Sequence, residues 1–202
     1  MATITALDGA KIADAVYRFD PDVGEYTLAK DTNGDFITFS DSTTDLQMAL
    51  YTNGTTYVVA FRGTESASDW GTDIQMGIST IIGVLANQFT PADAKLSQWI
   101  DKFGLSASNT TIVGHSLGGA LAQYFGASTE FETLTYNAYG AGNIDGVSSG
   151  GSNITNYVTM GDPVSKLLNS SMIGTTYMLQ NGDLLDMLGH GITNFTSERE
   201  VA

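Results

Sequence analysis

The segment from Ile112 to Ala122 limits the possible fold of this chain more than any other. It reads as the end of a β-branched strand, a serine bracketed by glycines, and a run of helix-forming residues. In the pattern Gly-x-Ser-x-Gly the chain turns sharply from strand to helix, and the turn holds the serine in a strained position above the sheet edge. The helix that begins there points its unsatisfied N–H groups towards any oxyanion that develops. The segment predicts Ser116 as a nucleophile.

The bare pattern is weak evidence in a chain with 23 glycines. A second match at 146–150 has no apolar strand before it and more glycine and serine after it, so we interpret it as a flexible loop. At 114–118 the strand and the helix are both present. This context favours a nucleophile over a buried serine that only caps a helix.

Composition indicates one globular domain and narrows its partners. A length of 202 residues with 42% hydrophobic and 15% charged residues fits a single domain over 1–202. The net charge of −14 argues against nucleic acid and against electrostatic docking on anionic membranes, while apolar contact with a lipid–water interface stays open. The chain has no cysteine, which excludes disulfides, thiol chemistry and zinc–thiolate sites.

Localisation is predicted from what the sequence lacks. No run of 18 apolar residues is present, so we expect no transmembrane segment. Residues 1–9 have neither a basic region nor a continuous apolar core, and therefore do not read as an ordinary signal peptide. These features fit either the cytoplasm or export by a route that forms no disulfides, and we expect export outside the cell by a non-Sec route.

Strand and helix signals predict antiparallel N-terminal strands followed by a largely parallel sheet flanked by helices. Asn-Gly pairs at 33–34 and 53–54 join alternating segments and favour hairpins. Tyr57–Phe61 is continuously apolar, which indicates a central strand buried on both faces. After residue 90 strands alternate with helices. The predicted helices are 10–19, 90–103 and 117–127, and the predicted strands are 26–29, 36–39, 47–51, 55–61, 110–113, 133–139, 154–160 and 176–180.

Two segments have alternative interpretations. The stretch 66–89 is too loose for a good helix and too apolar for a plain loop, so it is either a core helix or a mobile apolar flap over a site. Its large apolar residues include Trp70, Ile74, Met76, Ile81 and Ile82. The stretch 31–35 faintly suggests a calcium loop, but it lacks the required residue order and the closing glutamate, so we predict a hairpin turn and no metal site.

A serine nucleophile needs a base, and the chain has only two histidines. His115 is the immediate neighbour of Ser116 and points elsewhere on a strand-to-turn path. His190 lies between two glycines in a segment that suits a loop over the sheet edge. By elimination we predict His190 as the base, while a surface histidine without a role is the alternative.

The imidazole in turn needs a carboxylate, which the hydrolase order places between 116 and 190. Asp162 directly follows a predicted strand, with Gly161 before it and Pro163 after it. The carboxyl end of a strand is where open α/β sheets bind their ligands, so Asp162 is favoured. The other candidates are Asp145, Asp183, Asp186, Glu130 and Glu132, of which Asp183 is the strongest.

Acyl transfer also needs donors for the oxyanion of the tetrahedral intermediate. The N–H group of Leu117, directly after the nucleophile, is one predicted donor. The second is expected from a loop at the end of another central strand, and Thr64 in 62–64 meets this requirement. A simple strand-end turn is the alternative for that segment.

These motifs together resemble the class 3 lipases, the α/β-hydrolase branch that includes small fungal triacylglycerol lipases and related bacterial enzymes. Phe61-Arg62-Gly63-Thr64 with Asp69-Trp70 is similar to that family's oxyanion strand and lid tryptophan. Gly114–Ala122 is similar to its nucleophile elbow, and Asp162-Pro163-Val164 to its triad aspartate motif. His190 falls where the triad histidine is expected, so the resemblance extends over roughly 55–195 with four motifs in order.

The resemblance implies an α/β-hydrolase that cleaves lipid esters without a cofactor, through Ser116, Asp162 and His190, with Thr64 and Leu117 at the oxyanion. It also favours the flap interpretation of 66–89. The stretch 136–143 departs from the family's Phe-Gly-x-Pro-Arg pattern, and the fungal disulfides are missing. The pattern is closer to bacterial lipases and phospholipases A1 that leave the cell without a cleaved signal. Phospholipase A1, short-chain esterase, acyltransferase and a catalytically silent binding protein are the alternatives.

Overall fold

The elements below come from a computed structural model that describes residues 4–63, 74–144, 147, 151–160, 162, 171–179 and 191–196, with backbone only for 74–82 and 194. The helices are α1 (Ala6–Ala15), α2 (Ile74–Phe103), α3 (Leu117–Thr129) and a short 3-10 helix (Ile192–Phe195). The strands are β1 (Asp22–Val23), β2 (Tyr26–Leu28), β3 (Thr38–Asp41), β4 (Leu46–Thr52), β5 (Tyr57–Phe61), β6 (Thr110–His115), β7 (Glu132–Tyr136), β8 (Ile154–Thr159) and β9 (Thr175–Leu179).

The strands of the described ranges form one mixed sheet in the order β1-β2-β4-β5-β6-β7-β8-β9, and β3 pairs with β4. The pairings from β1 to β5 are antiparallel, and those from β5 to β9 are parallel. The predicted combination of antiparallel N-terminal strands with a parallel central sheet is therefore confirmed. Because β5 to β9 run in one direction, their carboxyl ends meet at a single edge of the sheet.

Helices cover both faces of the sheet, as the apolar central strands require. Val58 and Ala60 pack in a cluster with α1, whereas Val59 and Phe61 pack in a second cluster with α2 and α3. This alternation along β5 shows that each face of the strand is buried against its own helical layer. Every residue of β6 is buried as well. The strand that leads to Ser116 is thus held from both sides.

Helix α2 begins earlier than the sequence predicts. It runs from Ile74 to Phe103 through Pro91, so the predicted start at residue 90 is wrong. Of the two interpretations of 66–89, the helix is the one that the structure shows over 74–89. Pro91 removes one helical hydrogen bond and normally breaks a helix. Packing outweighs this loss because one side of the helix stays buried across the proline, with Leu85 and Gln88 before it and Leu96 after it.

Gly104 ends α2 in a left-handed conformation with φ +64°, as the sequence predicts. The N–H of Leu105 then donates to the carbonyl of Ile100 at 3.1 Å, which closes the last turn. Among the residues that the structure describes, no helix is long and apolar enough to cross a membrane.

The N-terminal segments are of the predicted type with shifted boundaries, apart from the additional two-residue strand β1. The predicted hairpin between 26–29 and 36–39 is reduced to one bridge between Lys30 and Phe36, because β2 and β3 both pair with β4. Helix α1 starts four residues earlier than expected because Thr5 caps it, accepting from the N–H of Asp8 at 3.1 Å. At 31–35, the Asp31 carboxylate accepts from the N–H groups of Asn33 at 2.8 Å and Asp35 at 3.1 Å. The bond from Asn33 lowers the pKa of Asp31. The segment is the predicted turn, with Gly34 at φ +87°.

Candidate active site

Ser116 lies at the junction of β6 and α3 with φ 56° and ψ −125°, a backbone conformation that a residue with a Cβ rarely adopts. The side chain is buried and makes no capping bond to the helix that it precedes. These observations fit the strained serine of a nucleophile elbow. They count against the alternative in which Ser116 serves only as a helix cap.

The backbone of Ser116 is held in place by β7 and the loop after it. Its N–H donates to the carbonyl of Tyr136 at 3.2 Å. Its carbonyl accepts from the N–H of Gly119 at 3.0 Å and from that of Tyr139 at 3.1 Å. Strained backbone persists only where surrounding contacts over-determine it, and these three bonds do so.

The glycines of the elbow allow backbone segments to approach closely. A Cβ on Gly118 would overlap the carbonyl oxygen of Phe61, and a Cβ on Gly114 would overlap that of Gly118. A Cβ on Gly119 would collide with the side chain of Ala138. The pattern therefore reflects contact of α3 with β5, β6 and the loop after β7, in addition to the sharp turn itself.

The residues after β5 lie directly beside the serine. A Cβ on Gly63 would be 2.8 Å from the carbonyl oxygen of His115 and 3.1 Å from Cβ of Ser116. The hydroxyl of Tyr17 reaches the same place, where it hydrogen-bonds Nδ1 of His115 at 2.9 Å. Thr64, the predicted oxyanion residue, is the next residue after Gly63 and lies outside the described residues.

Asp162 follows β8 at the same carboxyl edge as Ser116. It is fully buried, and its N–H donates to the carbonyl of Thr159 at 3.0 Å, which closes a tight turn at the strand end. Burial raises the pKa of the Tyr139 hydroxyl to about 12, and the charge of Asp162 contributes to that rise. Asp162 and Tyr139 are therefore close enough to interact electrostatically.

Two of the alternative acids lie elsewhere. Glu132 begins β7 and accepts a hydrogen bond from the hydroxyl of Thr111 at 3.1 Å, which places it at the amino end of the parallel strands. Glu130 ends α3 in a left-handed conformation with φ 60°. Both carboxylates are at the end of the sheet opposite to the serine. Asp145, Asp183 and Asp186 lie outside the described residues.

Asn137 is a residue of this edge that the sequence analysis did not single out. The prediction continued β7 to Tyr139, but the strand ends at Tyr136 because Asn137 turns left-handed with φ 41°. Asn137 is fully buried, and its Nδ2 has no hydrogen-bond partner in the part of the chain that the structure describes. A buried donor without an acceptor costs about 1–3 kcal/mol. The tolerance of asparagine for positive φ was the available signal.

Two further buried polar side chains, those of Gln123 and Asn156, connect α3 to the loops near this edge of the sheet. Nε2 of Gln123 on α3 donates to Oδ1 of Asn156 on β8 at 3.1 Å, and its Oε1 accepts from the N–H of Ala141 at 3.1 Å. Asn156 also accepts from the hydroxyl of Thr135 at 2.6 Å and donates to the carbonyl of Ile173 at 2.8 Å. These bonds fix the loops after β7 and before β9 relative to α3.

Several predicted site residues fall outside the described part of the structure. His190 and Trp70 lie outside the described residues, as do Gly146 and 148–150 of the second serine pattern. Ile74, Met76, Ile81 and Ile82 belong to α2, but their side chains are not among those described. Within the described ranges, no group of three or more histidine, cysteine, aspartate or glutamate side chains is arranged to hold a metal.

The strain at Ser116 gives a testable prediction. Replacing Ser116 by glycine is expected to relieve about 1–3 kcal/mol of backbone strain and to add about 0.5–1 kcal/mol of chain entropy to the unfolded state. Ser116→Gly should therefore be roughly 1 kcal/mol more stable than Ser116→Ala, which keeps the strain, and both should be inactive. Thermal melts of the two variants measure the difference, and a glycine variant that melts no higher would contradict stored strain.

The sheet order, the flanking helices and the strained serine between β6 and α3 define an α/β-hydrolase. Among solved structures, the chain has a TM-score of 0.52 to a triacylglycerol lipase from Penicillium expansum, with 20% identity over 89% of this chain and 82% of that chain. It has a TM-score of 0.54 to lipase II from Rhizopus niveus, with 17% identity over 88% and 80% of the two chains. These similarities confirm the predicted fold class.

Residues 8–197 match a phospholipase-like family described as the Tle-like phospholipase domain, and the chain belongs to that family. It is also 32% identical over 100 residues to the extracellular phospholipase A1 of Serratia liquefaciens. That match covers 50% of this chain and 29% of the length of the relative. The predicted resemblance to lipases and phospholipases A1 is confirmed at the level of the family.

Proposed function

We propose that this protein is a serine hydrolase that cleaves acyl esters of phospholipids through an acyl-enzyme intermediate. The observation that carries the proposal is Ser116, held with φ 56° and ψ −125° between a buried parallel strand and α3. The family and the Serratia relative favour phospholipid as the substrate class. Triacylglycerol and short-chain esters are the alternative substrates. The non-enzymatic alternative is a catalytically silent binding protein on the same fold.

In the proposed reaction, Oγ of Ser116 attacks the ester carbonyl carbon while His190 takes its proton. The tetrahedral intermediate then expels the alcohol, which leaves with that proton, and the acyl group stays on the serine. Water attacks the acyl-enzyme by the same steps and releases the fatty acid. Asp162 orients His190 and stabilises its protonated form. No cofactor takes part in this scheme.

Contacts of the described residues support His190 as the base. Nδ1 of the other histidine, His115, is hydrogen-bonded to the hydroxyl of Tyr17. The residue after His190 is Gly191, which opens the short 3-10 helix. In that helix, Phe195 is fully buried with its ring centroid 5.3 Å from that of Tyr136, whose carbonyl accepts the N–H of Ser116. The chain that follows His190 is thus anchored to the strand beside the nucleophile.

Thr64 and Leu117 are the proposed oxyanion donors. Leu117 opens α3, so its N–H is one of the first four that have no acceptor within the helix. The position of Gly63 against Cβ of Ser116 brings the chain to within one residue of Thr64. Backbone N–H groups beside the nucleophile would stabilise the charge of the intermediate where water is excluded.

We propose that the N-terminal part of α2 and the residues before it, from Trp70 through Ile74, Met76, Ile81 and Ile82, contribute apolar contacts to an acyl chain or a lipid surface. The support is the apolar character of the segment and its entry into a helix whose later turns pack on the core through Leu85. The net charge of −14 makes apolar contact the expected mode of transient binding to a lipid–water interface.

A substrate panel tests the proposed specificity. The purified chain is offered phosphatidylcholine vesicles with different acyl chains at sn-1 and sn-2, a trioleoylglycerol emulsion, and p-nitrophenyl butyrate and palmitate. Release of the sn-1 fatty acid, read by mass spectrometry, is the expected main reaction. Preference for trioleoylglycerol would make the protein a triacylglycerol lipase, and cleavage of butyrate alone would make it an esterase. A glycerol acceptor added to the vesicles distinguishes acyl transfer from hydrolysis.

An extracellular location and a one-domain organisation are part of the proposal. The extracellular relative from Serratia supports the location, and a single family domain over 8–197 supports the organisation. The non-Sec route stays a prediction, with the cytoplasm as the alternative location. Fractionation of the source organism, followed by immunodetection with a cytoplasmic marker as control, tests the location. Detection of the protein only in the fraction that contains the cytoplasmic marker would reject an extracellular location.

A further inference from the structure

Asn137 connects the nucleophile side of the sheet edge to the acid side. Its N–H donates to the carbonyl of Tyr157 on β8 at 2.9 Å. The residue before it, Tyr136, accepts from the N–H of Ser116, and Tyr139 donates to the carbonyl of Ser116. The left-handed turn at Asn137 therefore lies within the same loop that holds the strained serine.

The side-chain oxygen of Asn137 anchors the turn that carries Asp162. Oδ1 accepts from the N–H of Thr159 at 2.9 Å and from its hydroxyl at 3.3 Å. The carbonyl of Thr159 in turn accepts from the N–H of Asp162 at 3.0 Å. Only Thr159 therefore lies between the carboxamide of Asn137 and the turn that carries Asp162. All three of these residues are buried.

The side-chain nitrogen of Asn137 has no such partner. A hydroxyl or a carboxylate would accept the two bonds from Thr159 equally well, without burying a donor that lacks an acceptor. The charge of Asp162 acts on the hydroxyl of Tyr139, two residues after Asn137 in the chain. A donor beside a buried carboxylate favours its charged form.

We propose that Asn137 is a positioning residue for the triad acid, because its oxygen fixes the turn at Thr159 and its buried N–H groups stabilise the negative charge of Asp162. The inference rests on the proposed function of Asp162. A positioned, charged carboxylate keeps His190 in the correct tautomer and stabilises its protonated form. The hydroxyl of Tyr139 is the described titratable group on which the charge of Asp162 acts.

The variant Asn137→Asp tests the proposal because it keeps the acceptor for Thr159 and replaces the donor by a carboxyl oxygen. We expect kcat/KM to fall about 10²-fold, mainly through kcat, and the acidic limb of its pH profile to move up by roughly one pH unit. The pH profile is expected to move upwards because the new carboxylate can act in only two ways. It either stabilises the protonated imidazole of the base or shares a proton with Asp162. Both effects require a higher pH for activity.

Two alanine variants separate positioning from stability. Asn156→Ala removes another fully buried asparagine, whose side chain bonds Gln123 and Thr135. It should lower Tm to a similar extent as Asn137→Ala and leave the acidic limb in place. Asn137→Ala should lower kcat at least tenfold beyond Asn156→Ala. If Asn137→Asp does not fold at the assay temperature, this alanine pair carries the test.

The outcomes also distinguish the inference from the function on which it rests. If Asn137 variants lose activity only in proportion to Tm and keep the wild-type pH profile, the positioning role is rejected. If Asp162→Asn keeps wild-type kcat, the proposed triad fails and this inference fails with it. Loss of activity in Asp162→Asn together with unchanged kinetics in Asn137→Asp rejects the inference alone.

Discussion

Replacing Ser116 by alanine is expected to lower the rate of ester hydrolysis by about 10⁴-fold or more, and to abolish covalent labelling by a fluorophosphonate. The reason is that no acyl-enzyme can form without the hydroxyl, and only the oxyanion donors and substrate binding remain. Both residues have a Cβ, so the strained backbone at φ 56° is kept and the fold should melt within a few degrees of wild type. Rates on the preferred substrate and labelling read by mass spectrometry measure the effect.

Ser152 provides a matched control, because it follows the second serine pattern and is not in the site that we describe. Ser152→Ala should label and hydrolyse like the wild-type chain. Hydrolysis by Ser116→Ala at more than a tenth of the wild-type rate would reject Ser116 as the nucleophile. If labelling is absent in the wild-type chain as well, the catalytically silent alternative is supported.

Replacing Gly118 by alanine is expected to destabilise the protein by about 3 kcal/mol or more, at or above the upper end of the usual range for overpacking. The added Cβ would overlap the carbonyl oxygen of Phe61 and lie 2.8 Å from the carbonyl carbon of Arg62. These are backbone atoms at the end of a central strand, so no side chain can move aside and α3 must separate from β5. Thermal denaturation should show Tm lower by roughly 6–12 °C, with a loss of activity as Gly63 shifts relative to Ser116.

Gly83→Ala is the control for this substitution. Gly83 is an exposed residue of α2, and a Cβ added there meets nothing within 4 Å. Alanine is favoured over glycine by about 1 kcal/mol within a helix, so Tm should rise by roughly 2–4 °C. Equal melting temperatures for Gly118→Ala and Gly83→Ala would show that the close approach of α3 to β5 is not needed for folding.

Most of the fold could be predicted because local sequence signals and tertiary packing agree along β5, β6 and α3. At α2 they disagree. Thr90 and Pro91 form a strong local signal for a helix start, yet the helix continues through them. The decisive interactions are made by two residues before the proline. Leu85 packs in the core against the sheet layer. Gln88 reaches the β3–β4 turn, where its Nε2 donates to the carbonyl of Thr44 at 2.8 Å. Distant contacts of this kind are not visible in a local pattern.

The sequence by itself was enough to predict the α/β-hydrolase class, because the chemistry proposed for this chain demands particular residue types in a fixed order. Ser116, Asp162 and His190 were proposed on that basis alone. Glu130 and Glu132 could be set aside only with the tertiary structure, since the parallel direction of β6 and β7 places them at the opposite end of the sheet. The same holds for Asn137, whose significance comes from bonds to Thr159, 22 residues along the chain. Residue identity fixes which reactions are possible, whereas strand direction and register decide which side chains meet.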